Sequence, residues 1–190
     1  MEHATGAGLA VTPALCHSGC VYVTRRELPL GDGATTKTLQ TMQSLVNAAI
    51  SNPIVRKQAV QVVQDAPPRS GGMQIALIRN WLSDHVQFLA DPRDQELLHD
   101  PVLLVRSIQH NSIIHVDCDD VAILGAALGK AVGLRARFVA LAFLAPDAPF
   151  SHVYAELASP YTPRWLDLDT TRDVQSISLG LVSRRFVLEV

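Results

Sequence analysis

A thiol, an imidazole and a carboxylate follow one another along the chain at Cys118, His152 and Asp169. In that order they can act as a nucleophile, its general base and the group that orients the base. The thiol sits in Val116-Asp117-Cys118-Asp119-Asp120, directly ahead of the apolar run Val121 to Lys130. Val121, Leu124, Leu128 and Val132 recur at three- and four-residue steps, which predicts a buried helix face. Asp117 is placed to cap that helix, and Asp119 and Asp120 fill its first turn. Cys118 therefore stands at a helix N-terminus, where backbone N–H groups favour a thiolate. The two downstream aspartates work against that charge. Each residue also has a plainer reading. Free cysteine is often a small buried apolar residue. His152 can be a satisfied sheet histidine and Asp169 a turn-capping carboxylate; for the orienting role Asp167, two residues earlier on the same face, stands in reserve. For the aspartate run, capping outweighs metal binding, because no glycine-bearing loop of alternating oxygen ligands is present. A metal hydrolase built on Cys118, His152 and the aspartates is the weakest of the readings.

The elements that must position these groups follow from the periodicity. Cys20 to Arg26 is β-branched and aromatic and predicts a strand. Thr35 or Thr36 caps a helix carrying Leu39, Met42, Leu45, Val46 and Ala49. Pro53 opens a second helix that ends at Ala66-Pro67-Pro68. A third runs from about Met73 to Phe88, with Ile75, Ile78, Leu82 and Val86 inward. Leu97 to Ile108 predicts one or two short helices broken at Asp100-Pro101. Gly133 stops the Cys118 helix. Strands follow at Arg135 to Leu144, Ser151 to Leu157 and Arg164 to Leu168, with a last one at Arg185 to Glu189. Helices followed by hairpin-linked strands predict an α+β fold with an antiparallel sheet. His152 and Asp169 then fall on adjacent strands, with Cys118 facing them from the helix.

The chain has 190 residues, 48% hydrophobic and 18% charged, with a net charge of −2. One domain is the default at this length. The reading divides it into an arm, strand and linker over 1–35 and a domain over 36–190. The charge gives no reason to expect nucleic acid as a partner, and no apolar run approaches the roughly 20 residues of a membrane span. A basic region followed by an apolar core is absent from the first residues, so no secretory signal is expected. Cys16, Cys20 and Cys118 make an odd count that fits a reducing compartment. Cys16-His17-Ser18-Gly19-Cys20 lacks a second ligand pair, so incidental thiols outweigh a structural zinc. No cofactor and no resident metal are expected.

Three motifs together resemble the transglutaminase-like superfamily of papain-type cysteine enzymes, most of all its short bacterial and bacteriophage members. They are Asp117-Cys118-Asp119-Asp120 before an apolar helix, His152-Val153-Tyr154-Ala155-Glu156 and Trp165-Leu166-Asp167-Leu168-Asp169-Thr170. The resemblance covers about residues 73–171. It implies a papain/transglutaminase-like fold, with N-terminal helices and the catalytic cysteine at a helix N-terminus packed on an antiparallel sheet. It further implies a Cys118, His152, Asp169 triad acting on amide bonds of a protein or peptide, with hydrolysis favoured over crosslinking. The phage relatives imply a second reading, a virion-associated structural or binding module docking to phage structural proteins through its N-terminal region. The implied location is the bacterial host cytoplasm or the virion. The chain departs from the family pattern at His115-Val116, where a small residue is common, and at Thr170, where proline is.

Overall fold

The computed structural model describes residues 23–26, 32–91, 96–171 and 181–190. The Cys16–Cys20 segment and most of the predicted arm lie outside them. Helix α1 (Asp32–Ala49) starts ahead of the cap expected at Thr35 or Thr36. Helices α2 (Pro53–Val63) and α4 (Pro101–Asn111) begin alike. Asn52 and Asp100 accept the N–H of Ile54 and Val102 at 2.9 and 2.7 Å, and a proline fills each first turn, where no N–H is needed. Between them, α3 (Gly71–His85) stops three residues short of the predicted end. Its extension is strand β2 (Val86–Phe88), which pairs in parallel with β4 (Ile114–Val116). The predicted helix around Leu97 and Leu98 is instead strand β3 (Glu96–His99), antiparallel to β1 (Val23–Arg26). Pro101 disfavours helical backbone just before it, so α4 cannot extend back through Leu98.

Helix α5 (Cys118–Ala131) is buried continuously from Asp119 to Gly129. It touches α1 to α4 on one side, and β5 (Arg135–Phe143) and β6 (Phe150–Ala158) on the other. With β7 (Leu166–Asp167) and β8 (Val182–Glu189) these strands form an antiparallel sheet in the order β7-β6-β5-β8. The protein is thus α+β, with helices on one face of an antiparallel sheet. Leu166–Asp167 is what remains of the longer strand predicted from Arg164, and β8 starts three residues before the predicted Arg185.

The sheet's two faces differ. Phe138, Ala140, Ala155 and Leu157 join the main core with α5, whereas Val139, Leu141 and Tyr154 form a small separate cluster. The close approach of α5 to β6 depends on Gly129, where an added Cβ would lie 2.5 Å from Leu157 Cδ1. The helix then ends as predicted. Gly133 takes φ +85°, its N–H donates to Lys130, and the Leu134 N–H donates to Gly129, each at 3.0 Å. These two bonds satisfy carbonyls that the helix end would otherwise leave bare.

Leu157 is fully buried and has little room to retreat. Gly129→Val should therefore lower stability by about 1–3 kcal/mol through overpacking. Gly72→Ala, where a Cβ meets nothing within 4 Å, should leave it unchanged or slightly raised. Urea midpoints of the two variants check this.

Candidate active site

Cys118 is the first residue of α5, half-buried and outside any disulfide. Asp117 holds the N-cap position, but its side chain makes no capping hydrogen bond. That corrects the capping role expected of it. The aspartates of the first turn have partners of their own. Asp119 Oδ1 accepts the Asp120 N–H at 2.9 Å. Asp120 Oδ1 accepts the His99 N–H at 2.8 Å, and its Oδ2 bonds His99 Nδ1. His99, at the end of β3, thus ties that strand to the thiol's helix turn. Sequence reasoning missed His99, since nothing in the local pattern links it to a carboxylate 21 residues away.

These groups perturb one another. Burial pushes the Asp119 carboxyl well up, and a proton shared with Asp117 adds to the rise, as do the charges of Asp117, Asp120 and Cys118. Burial also raises Asp120, against the opposing bond and charge of His99. For His99 burial works downward, but the bond to Asp120 and the charges of Asp120, Asp91 and Asp117 outweigh it, and the net shift is upward. Oxygens of Asp117, Asp119 and Asp120 lie within 4.8 Å of one another. Asp120 commits both of its oxygens to His99 and Asp119 one of its own to the helix, which leaves few donors for a cation.

His152 and Asp169 are brought together. His152 Nε2 and Asp169 Oδ2 are 2.8 Å apart, with side chains 0% and 1% exposed. Asp169 is itself oriented by Thr171, whose N–H and hydroxyl both donate to Oδ1 at 3.1 Å. Asp167 points elsewhere, 3.7 Å from Arg79, so of the two aspartates only Asp169 bonds the histidine. The other ring nitrogen, Nδ1, is buried and has no hydrogen-bond partner among the described residues.

Strand alternation explains where the ring sits. His152 is opposite Leu141 and stacks 6.0 Å from Tyr154, on the sheet face turned away from Ala155, Leu157 and α5. The register slips between Leu141 and Ala142, so Ser151 is an extra residue just before His152. Such a bulge bends and twists its strand, and any meeting of thiol and ring has to occur at this end of β6. Further along the same face, Glu156 is gripped by Arg137 at 2.5 Å and Arg185 at 3.0 Å, and accepts from the Tyr154 hydroxyl at 3.3 Å. Trp165 lies under Arg137 and Arg135, with 4.2 and 4.8 Å from ring centre to guanidinium. The tyrosine, glutamate and tryptophan of the sequence motifs thus brace β5, β6 and β8 around the His152–Asp169 pair.

Among the solved structures similar to this chain are two bacterial proteins. One, from Parabacteroides distasonis ATCC 8503 and described as "a putative protease", has a TM-score of 0.55 at 12% identity, over 80% of this chain and 28% of its own. The other, from Cytophaga hutchinsonii and described as "a putative cysteine protease", has a TM-score of 0.43 at 16% identity, over 86% and 56%. The chain thus spans about a quarter and about half of their lengths. No protein-family model and no curated protein matches the sequence.

The carboxyl cluster has a measurable consequence. A carboxyl raised by the fold holds its proton to higher pH than in the unfolded chain. Stability therefore falls as pH rises from the ordinary carboxyl value, about 4, to the raised one, and the loss is complete above it. Asp119→Asn removes that titration and keeps an oxygen for the Asp120 N–H. In EDTA the variant should be more stable than the parent at pH 7, with the gap closing toward pH 4. Urea unfolding at both pH values checks this, and a variant weaker at pH 7 contradicts it.

Proposed function

We propose that the protein is a cysteine-dependent acyl-transfer enzyme that hydrolyses amide bonds in peptides or proteins, with Cys118 as nucleophile, His152 as base and Asp169 as orienter. The observation that carries this reading is the fully buried His152–Asp169 bond. A carboxylate on Nε2 holds the proton there, fixes the tautomer and leaves Nδ1 as the basic atom. Nδ1 is the atom without a partner among the described residues, so an incoming thiol displaces nothing. The resemblance of the Cys118, His152 and Asp169 motifs to transglutaminase-like enzymes points the same way. So does the protease described for the first structural neighbour.

In the first step Nδ1 takes the Cys118 proton, and sulfur attacks the amide carbon. The imidazolium then gives that proton to the departing amine as the C–N bond breaks, leaving a thioester. Water, deprotonated by the same nitrogen, attacks the thioester; the C–S bond breaks, the acid leaves, and the imidazolium returns its proton to the Cys118 sulfur. The Cys118 N–H at the helix start is a donor for the oxyanion. Sγ must come within about 3–4 Å of Nδ1, at the bulged start of β6.

Casein digestion followed by mass spectrometry tests the reading. Cys118→Ser should abolish cleavage, and His152→Gln and Asp169→Asn should each lower it by roughly 10²- to 10⁴-fold. Hydrolysis should outpace incorporation of dansylcadaverine into casein. Faster amine incorporation would make the enzyme a crosslinker, and cleavage surviving Cys118→Ser would remove the thiol from the mechanism.

A further inference from the structure

Asp120 stands two residues beyond Cys118 in the first turn of α5, and its side chain is 1% exposed. His99, on β3, supplies a partner to each of its oxygens. The His99 N–H donates to Oδ1 at 2.8 Å, and the ring Nδ1 bonds Oδ2. The neighbouring carboxylates make no such tie. Asp117 does not cap the helix, and Asp119 accepts the Asp120 N–H within the turn itself. The turn that carries the thiol is thus fastened to β3 through Asp120.

The anchor is itself fixed from both sides. Leu98, just before His99, is buried in the main core. Asp100, just after it, caps α4 by accepting the Val102 N–H at 2.7 Å. β3 also pairs with β1, where His99 stands opposite Val23. With the core on one side and a helix cap on the other, the His99 backbone has little freedom. Two bonds from one residue to one carboxylate then fix both the distance and the orientation of the turn. A carboxylate this buried tolerates the loss of a partner poorly, because the charge left behind is uncompensated.

We propose that His99 is a positioning residue for the nucleophile: its ring and backbone clamp Asp120, and the clamped turn sets where the Cys118 sulfur and N–H stand relative to His152. The proposal rests on the nucleophilic role proposed above for Cys118. His99 acts through the turn, two residues removed from the sulfur. Misplacing reacting atoms by about 1 Å can cost on the order of a hundredfold in rate, so a small slackening of the turn is enough to be read.

Three variants test the clamp. His99→Leu fills the space of the ring but offers no donor to Oδ2. His99→Leu combined with Asp120→Asn also removes the buried charge and keeps an oxygen for the backbone N–H of position 99, which covers the case in which the single variant fails to fold. His99→Asn puts an amide N–H where the ring Nδ1 stands. In casein digestion kcat should fall on the order of ten- to a hundred-fold in the first two, with KM within about threefold, since no substrate contact is lost. His99→Asn should return kcat to within about threefold of the parent. Amide hydrogen exchange reads the turn without any need for activity. The Asp120 and Val121 N–H groups donate to Asp119 Oδ1 and the Asp117 carbonyl. Relative to the amides of Leu124 to Leu128, they should exchange on the order of tenfold faster in both leucine variants and at the parent's ratio in His99→Asn. A general loss of stability speeds the core amides and does not raise that ratio. Unchanged kcat in both leucine variants, an unchanged exchange ratio, or a His99→Asn protein as slow as His99→Leu overturns the clamp. Cleavage that survives Cys118→Ser instead removes the nucleophile, and the positioning role of His99 with it, while the exchange ratio still reports whether His99 holds the turn.

Discussion

A helix that begins with a thiol among three aspartates and continues apolar on every side imposes two demands at once. Its length must be buried, and its polar first turn must be satisfied at the edge of that burial. Helices α1 to α4 and strands β5 and β6 meet the first demand by enclosing Asp119 through Gly129. The second is met locally, by Asp119 on the Asp120 N–H and by His99 on both oxygens of Asp120. Each carboxylate left in an apolar surrounding would otherwise cost several kcal/mol. The upward shifts of Asp119 and Asp120 show that the solution is partial. Cys118 stands where the two demands meet, half-buried at the end of a dipole that favours negative charge.

The sheet solves a related problem on its other side. His152 and Asp169 are as buried as the core, yet they are the polar pair of a face whose apolar content is small. Thr171 on Asp169, and Arg137 and Arg185 on Glu156, supply what water would have supplied. A fully desolvated imidazole–carboxylate pair keeps one tautomer and one orientation. The energetic burden of burying it falls on the braces around it.

The parts of this arrangement that are legible in the sequence are those with a local signal. The apolar run after Cys118 foretells α5, Gly133 its end, and the alternation around His152 and Val139 the two long strands. Motif position favours Asp169 over Asp167, and the bond to His152 falls on Asp169. Short elements that depend on distant partners were not legible. Val86–Phe88 looks like the last turn of α3 until Ile114–Val116 is beside it, because three residues carry no period. Leu97 and Leu98 suit a helix as well as a strand until β1 pairs with them. The His99–Asp120 bond and the sheet face of His152 depend on register, which a one-residue bulge at Ser151 alters.

The account turns on whether His152 makes Cys118 a thiolate at neutral pH, and the pH dependence of Cys118 alkylation by iodoacetamide measures that directly. It predicts a rate near its plateau at pH 7 that falls, in His152→Ala, to the profile of an ordinary thiol, half-maximal near about pH 8.5. An ordinary profile in the parent, unchanged by His152→Ala, would contradict it.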